Sequence, residues 1–183
     1  HGWRKSQSDM PYPWLTNMTA AISDELIHRG LTDWQVVPFD WTSKAYTGPL
    51  IDPSQNISDW LSADRSFDNA RDIGNGLGRQ IAGQTWQHIH FIAHSAGSAL
   101  IQQATDVIKR TTPSKVIHET FLDPYLRTDK RGVAWFGTNA NWADCYWTGL
   151  DGTFGFTDGI LKYAHNVEIS WLDPDRGSMI MYR

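Results

Sequence analysis

The residues best placed to do chemistry lie in one stretch, Ile89-His90-Phe91-Ile92-Ala93-His94-Ser95-Ala96-Gly97-Ser98. An apolar, strand-like run enters a small-His-Ser-small-Gly turn, and a helical pattern follows at once. This fits the nucleophile elbow, G-x-S-x-G, with Ala93 in the place of the first glycine. The turn is too tight for large side chains two residues before and after the serine, so Ala93 and Gly97 have to be small. The serine itself is expected in a strained backbone conformation that projects its hydroxyl from the end of the sheet. The helix that follows offers free N–H groups and a positive dipole end to an oxyanion. The plainer alternative is a serine N-cap at an ordinary strand–helix turn.

A serine hydroxyl needs a base, and the base needs a partner to orient it. The run Val116–Leu122 delivers Asp123 at its carboxyl end, in the strand next after the serine unit. Catalytic groups of open α/β sheets gather at the carboxyl ends of strands. Asp123 could also be a turn aspartate ahead of Pro124. Asp151 and Asp173 are its rivals, but only Asp123 closes a clean apolar strand.

The surrounding pattern has to hold these residues in place. Residues 15–29 carry apolar side chains at helical spacing, and Gly30 follows as a stop. Residues 34–39 (Trp-Gln-Val-Val-Pro-Phe) read as a strand. Residues 46–66 read as a long irregular excursion, a lid, a pocket wall or plain surface loop. Residues 67–82 return to helical spacing with Gly74, Gly76 and Gly78 inside them, which implies close packing against a neighbour. Residues 88–93 form a second strand, 98–108 a helix and 116–122 a third strand. Residues 134–148 hold a fourth, and 166–172 a fifth. Strands that alternate with helices imply an α/β fold, a mostly parallel sheet with helices on both faces. No repeat and no internal domain boundary is visible in residues 1–183.

Composition narrows the function classes. The 183 residues carry 16 Lys and Arg against 20 Asp and Glu, a net charge of −4. A general electrostatic grip on nucleic acid or an anionic membrane is therefore disfavoured. One cysteine, Cys145, leaves no internal disulfide and no multi-cysteine metal cluster. The longest stretch free of Asp, Glu, Lys and Arg, residues 80–105, is too rich in His and Gln to span a membrane. Ten tryptophans are many for this length. Trp14, Trp41, Trp60, Trp135, Phe136, Trp142 and Trp147 could line an apolar pocket, although core packing is the simpler role for most of them. Asn17-Met18-Thr19 and Asn56-Ile57-Ser58 match the glycosylation acceptor pattern, which matters only in a secreted protein.

Taken in order, these segments resemble an α/β-hydrolase of the pancreatic-lipase-like group. His1-Gly2-Trp3 resembles the His-Gly-aromatic oxyanion segment of those enzymes, and Val36-Val37-Pro38-Phe39-Asp40-Trp41 resembles their strand ending in Asp-Trp. Ala70, Ile73, Gly74, Leu77 and Ala82 resemble the helix before the nucleophile strand. Ala93-His94-Ser95-Ala96-Gly97 resembles Gly-His-Ser-Leu-Gly, and Phe121-Leu122-Asp123-Pro124 resembles Gly-Leu-Asp-Pro. The resemblance implies a serine carboxylic-ester hydrolase, lipase- or esterase-like, acting on a small ester or a lipid. Ser95 would be the nucleophile and Asp123 the triad acid. The backbone N–H groups of Trp3 and Ala96 would form the oxyanion hole. No metal or organic cofactor is implied. An amidase, thioesterase or peptidase on the same scaffold is an alternative, as is a non-catalytic binding module that keeps the elbow without a base.

The base histidine is the gap in this picture. Of seven histidines, His1 belongs to the oxyanion segment, His28 to a surface helix, and His88, His90 and His118 to strands. His94 adjoins the nucleophile and has a structural role in the resembled group. His165 remains, but it precedes the strand at 166–172, whereas the base belongs after it. No histidine occurs between Asp173 and Arg183. The simpler expectation is an internal piece of a longer hydrolase, truncated at both ends, with the base beyond Arg183. The nucleophile strand would then have an exposed edge or pair with another chain.

Overall fold

The computed structural model describes residues 13–47, 59–149, 156–157 and 159–170. The elements in chain order are α1 (Pro13–His28), α2 (Thr42–Ala45), α3 (Asp59–Ala82), β1 (His88–His94), α4 (Gly97–Thr111), β2 (Val116–Leu122), α5 (Arg131–Trp135), β3 (Trp142–Trp147) and β4 (His165–Glu168). The four strands form one sheet in the order β1-β2-β3-β4, and every neighbouring pair is parallel. The fold is therefore α/β with an all-parallel sheet. No helix among the described residues is long and apolar enough to cross a membrane.

The register divides the side chains between two faces. Ile89, Phe91 and Ala93 of β1 lie level with Ile117, Glu119 and Phe121 of β2, and the last two with Ala143 and Cys145 of β3. This face carries the core. Phe67 of α3, Phe121 and Phe136 are fully buried, with the Phe121 and Phe136 rings stacked 5.2 Å apart. Thr105 of α4 reaches the same face and donates to the buried Glu119 Oε1 at 2.7 Å.

Helices α3 and α4 pack so closely that two of the three α3 glycines have no room for a methyl group. A Cβ at Gly74 would stand 2.2 Å from the Leu100 carbonyl oxygen, and one at Gly78 would stand 2.7 Å from that of Ala104. Gly76 faces open space. The expected packing reason thus applies to Gly74 and Gly78 alone.

Several sequence expectations need correction. Residues 34–39 do not form a strand. They pair with no strand among the described residues and, apart from the half-buried Val36, are exposed, with Trp34 at 43%, Val37 at 59% and Phe39 at 41% of full exposure. Their residue types suit a strand, but a strand exists only where a neighbour accepts its bonds, and Pro38 also removes one donor. Helix α3 begins at Asp59 rather than 67, so the irregular excursion is shorter than expected; residues 48–58 lie outside the described ones. Residues 134–148 do hold a strand, β3, preceded by the short helix α5, whereas the next strand, β4, is shifted from the expected 166–172: it includes His165 and ends at Glu168. The described sheet therefore has four strands, not five.

The expected cover on both faces is only partial among the described residues. The second face carries His88, His90, Ile92 and His94 on β1, Val116, His118 and Thr120 on β2, Trp142 and Asp144 on β3, and His165 on β4. Val116 and Trp142 stay 40% and 59% exposed there. Helix α1 reaches this side through Trp14, whose ring meets the His94 ring edge-on at 5.7 Å.

Candidate functional site

The apolar pattern of β1 ends at His94, which lies level with Leu122, the last residue of β2. The next residue on each strand is the one singled out by the sequence. Ser95 has φ 53° and Asp123 has φ 46°, both in the left-handed region that non-glycine residues enter at a cost of about 1–3 kcal/mol. Each still completes the ladder. The Ser95 N–H donates to the Leu122 carbonyl at 3.0 Å, and the Asp123 N–H donates to the Tyr146 carbonyl at 2.7 Å. The backbone therefore turns sharply at both residues without giving up its last sheet bond.

The small residues around Ser95 are packed away from solvent. Ala93 is 6% exposed, Ala96 is fully buried and Gly97 is buried. Ala96 is the N-cap of α4, with helical φ −60° and ψ −22°, and the first N–H groups of a helix have no carbonyl one turn back to bond to. Ser95 itself is half-buried, and its carbonyl accepts the Ser98 N–H at 3.0 Å. Asp123 is also half-buried, and its Oδ1 receives the Thr148 N–H at 3.4 Å. Trp3, the second expected oxyanion donor, lies outside the described residues, as do Asp151 and Asp173.

The loop after Asp123 is clasped to α3. Asp64 is buried, and its carboxylate accepts the Tyr125 hydroxyl at 2.9 Å, the Thr128 N–H at 3.1 Å and the Thr128 hydroxyl at 2.6 Å. Burial, with the Asp64 carboxylate beside it, pushes the Tyr125 hydroxyl far above its ordinary value. Sequence reading missed this clasp, since an aspartate and a tyrosine so far apart in the chain carry no local signal.

The histidines do not complete the site. His165 opens β4 level with Asp144, and through Thr120 with Ile92 of β1. Three strand spacings, about 14 Å, separate it from β1, so it is placed neither beside Ser95 nor on a loop above it. His118 accompanies Asp144, Nε2 to Oδ2 2.7 Å, in an imidazole–carboxylate pair of the kind a triad needs. It sits five residues before Asp123, however, about 16 Å down the strand from the serine turn. His90 is level with His118. Cys145 is no rival nucleophile. Burial, with Asp123 and Asp144 nearby, pushes its thiol up to about 12.

Among the described residues no group of three or more His, Cys, Asp or Glu side chains is arranged to hold a metal ion. Two hollows of about 440 Å³ adjoin Arg71 and Trp135 on the helix side, and neither is lined by Ser95 or Asp123. Of the tryptophans considered for a pocket, Trp41 is core at 4% exposure, Trp142 is largely exposed, and Trp135 and Trp147 are half-buried. The Trp60 side chain is outside the described set. Comparison with known protein families, with curated proteins and with solved structures finds no match.

Proposed function

We propose that the chain is an α/β-hydrolase-type serine hydrolase core, with Ser95 the nucleophile of a carboxylic-ester hydrolase and Asp123 the acid that orients its base. The observation that carries this reading is the left-handed backbone of Ser95 between the end of β1 and the start of α4. A serine that only capped a helix would have an extended backbone at the N-cap position. Here Ala96 is the N-cap and the serine precedes it.

In this mechanism the Ser95 hydroxyl attacks an ester carbonyl while a histidine takes its proton. The Ala96 N–H, paired with that of Trp3, receives the oxyanion, and Asp123 steadies the imidazolium. Cleavage of the ester releases the alcohol with that proton. Water, activated by the same base, then frees the acid from Ser95.

The placement of His165 three strands from β1 favours a second reading, a hydrolase-fold binding module without a working base. A fluorophosphonate probe separates the two. Labelling of the chain that disappears in Ser95→Ala supports the hydrolase, and an ester panel set against amides and thioesters then defines the leaving group. Ester turnover should fall on the order of 10⁴-fold in Asp123→Asn. An intact protein that stays unlabelled, and that has no histidine in the segment following Arg183, points to the binding module.

A further inference from the structure

The open face of the sheet holds a histidine pair that the proposed chemistry leaves unused. His90 and His118 are register partners on β1 and β2. Their rings stack with centroids 3.9 Å apart and planes 4° from parallel. Each ring is also tied at Nε2, His90 to Thr120 Oγ1 at 2.8 Å and His118 to Asp144 Oδ2 at 2.7 Å. Asp144 is 7% exposed, so its carboxylate is held in place against His118. The four side chains form a diagonal chain that crosses from β1 to β3.

Charge limits how many protons this chain can hold. One proton on His118 is balanced by Asp144. A second, on His90, would put two imidazolium rings face to face at stacking distance, with one carboxylate between them. Among the described residues, the other titratable groups on this face of the sheet are His88 and His94 of β1, Tyr146 of β3 and His165 of β4. Glu119 of β2 and Asp106 of α4 lie behind the opposite face. Of all these, His118 and Asp144 act on His90 electrostatically. His90 is exposed at the surface of the sheet, with its ring partly covered by its neighbours; that cover, then His118, lowers the ring to about 4, and Asp144 opposes the shift.

The strand that carries His90 is the outermost of the described sheet and bonds there to β2 alone. We propose that the His90–His118 stack is an acid-operated latch: it clips β1 to β2 while it holds no more than one proton, and the second proton forces the rings apart and loosens β1 with the Ser95 turn at its end. Because His90 sits below its ordinary value, the bond between the strands is whole above pH 6.5 and weakens as pH falls toward 4.

The test is a histidine-ring NMR titration of the full chain from pH 7.5 to 3.5, with amide hydrogen exchange followed on β1 and α4. The latch requires His90 to titrate near 4 rather than 6.5, and to move upward in His118→Gln. It also requires β1 exchange, corrected for intrinsic rates, to rise by about tenfold or more relative to α4 as the pH falls. His90→Gln keeps a partner for Thr120 and cannot charge, so it should abolish that rise. A His90 that titrates at its ordinary value overturns the proposal, as does an equal rise in His90→Gln or a parallel rise in α4. If His90→Gln does not fold, the wild-type titration alone decides.

Discussion

Ser95 and Asp123 stand side by side, each one residue beyond the paired ends of neighbouring parallel strands, and each with a left-handed backbone. The Leu122 carbonyl that receives the Ser95 N–H belongs to the residue just before Asp123. One hydrogen bond thus sets the spacing of the two turns. That coupling makes the pair a joint feature of the sheet's end rather than two separate loops.

The strain at position 95 should show in the ranking of its replacements. Ser95→Gly is expected to be more stable than Ser95→Ala by up to about 1 kcal/mol, because glycine enters positive φ without a Cβ clash. Urea denaturation of the two variants measures the difference. Equal midpoints would mean that the turn relaxes and stores no strain.

The glycines of α3 predict opposite outcomes at neighbouring positions. Gly74→Ala forces a methyl group into the Leu100 carbonyl and should destabilise the fold by about 1–3 kcal/mol or more. Gly76→Ala meets nothing within 4 Å and should stabilise the helix by about 0.5–1 kcal/mol. Thermal melts of both variants check the contrast, and destabilisation by both would place Gly76 in a contact.

Glu119 predicts an alkaline loss of stability. Burial, reinforced by Asp106 and opposed by the Thr105 hydrogen bond, raises its carboxyl from 4.5 to about 8. The folded chain then keeps a proton that the unfolded chain releases, so stability is full below 4.5, falls as the pH rises to about 8 and is level beyond. The folding constant should change by at most about tenfold per pH unit in that window. Glu119→Gln, which cannot ionise, should flatten this slope in denaturant titrations between pH 5 and 8.5. An unchanged slope would assign it to other groups.

Cys145 should be silent in the native protein. It is fully buried, and its thiol stays protonated at pH 8. A disulfide reagent at that pH should modify it only after urea unfolding. Stoichiometric modification before unfolding would show that β3 opens readily.

What could be read in the sequence was local. The small residues around Ser95, the strand-like run Val116–Leu122 and the helical spacing of α4 each fall within one element, and their types report their own geometry. Residues 34–39 misled because β-branched and aromatic types describe a surface suited to pairing, not the presence of a partner. The early start of α3 was hidden by Asp64 and Ser66, polar residues that are buried yet read as loop. The His90–His118–Asp144 chain had no sequence signature, because it runs diagonally across three strands and depends on their register. The base of the proposed triad stayed unassigned for another reason, as spacing alone placed His165 at the wrong end of its strand.

The clasp on Asp64 has a consequence for engineering. Residues 125–128 draw three of their bonds from a single carboxylate on a helix far away in the chain. A graft that swaps the segment after Asp123 for a foreign one, to alter what the protein accepts, would leave that carboxylate buried without its donors. The segment and helix position 64 have to be exchanged together, as one cassette.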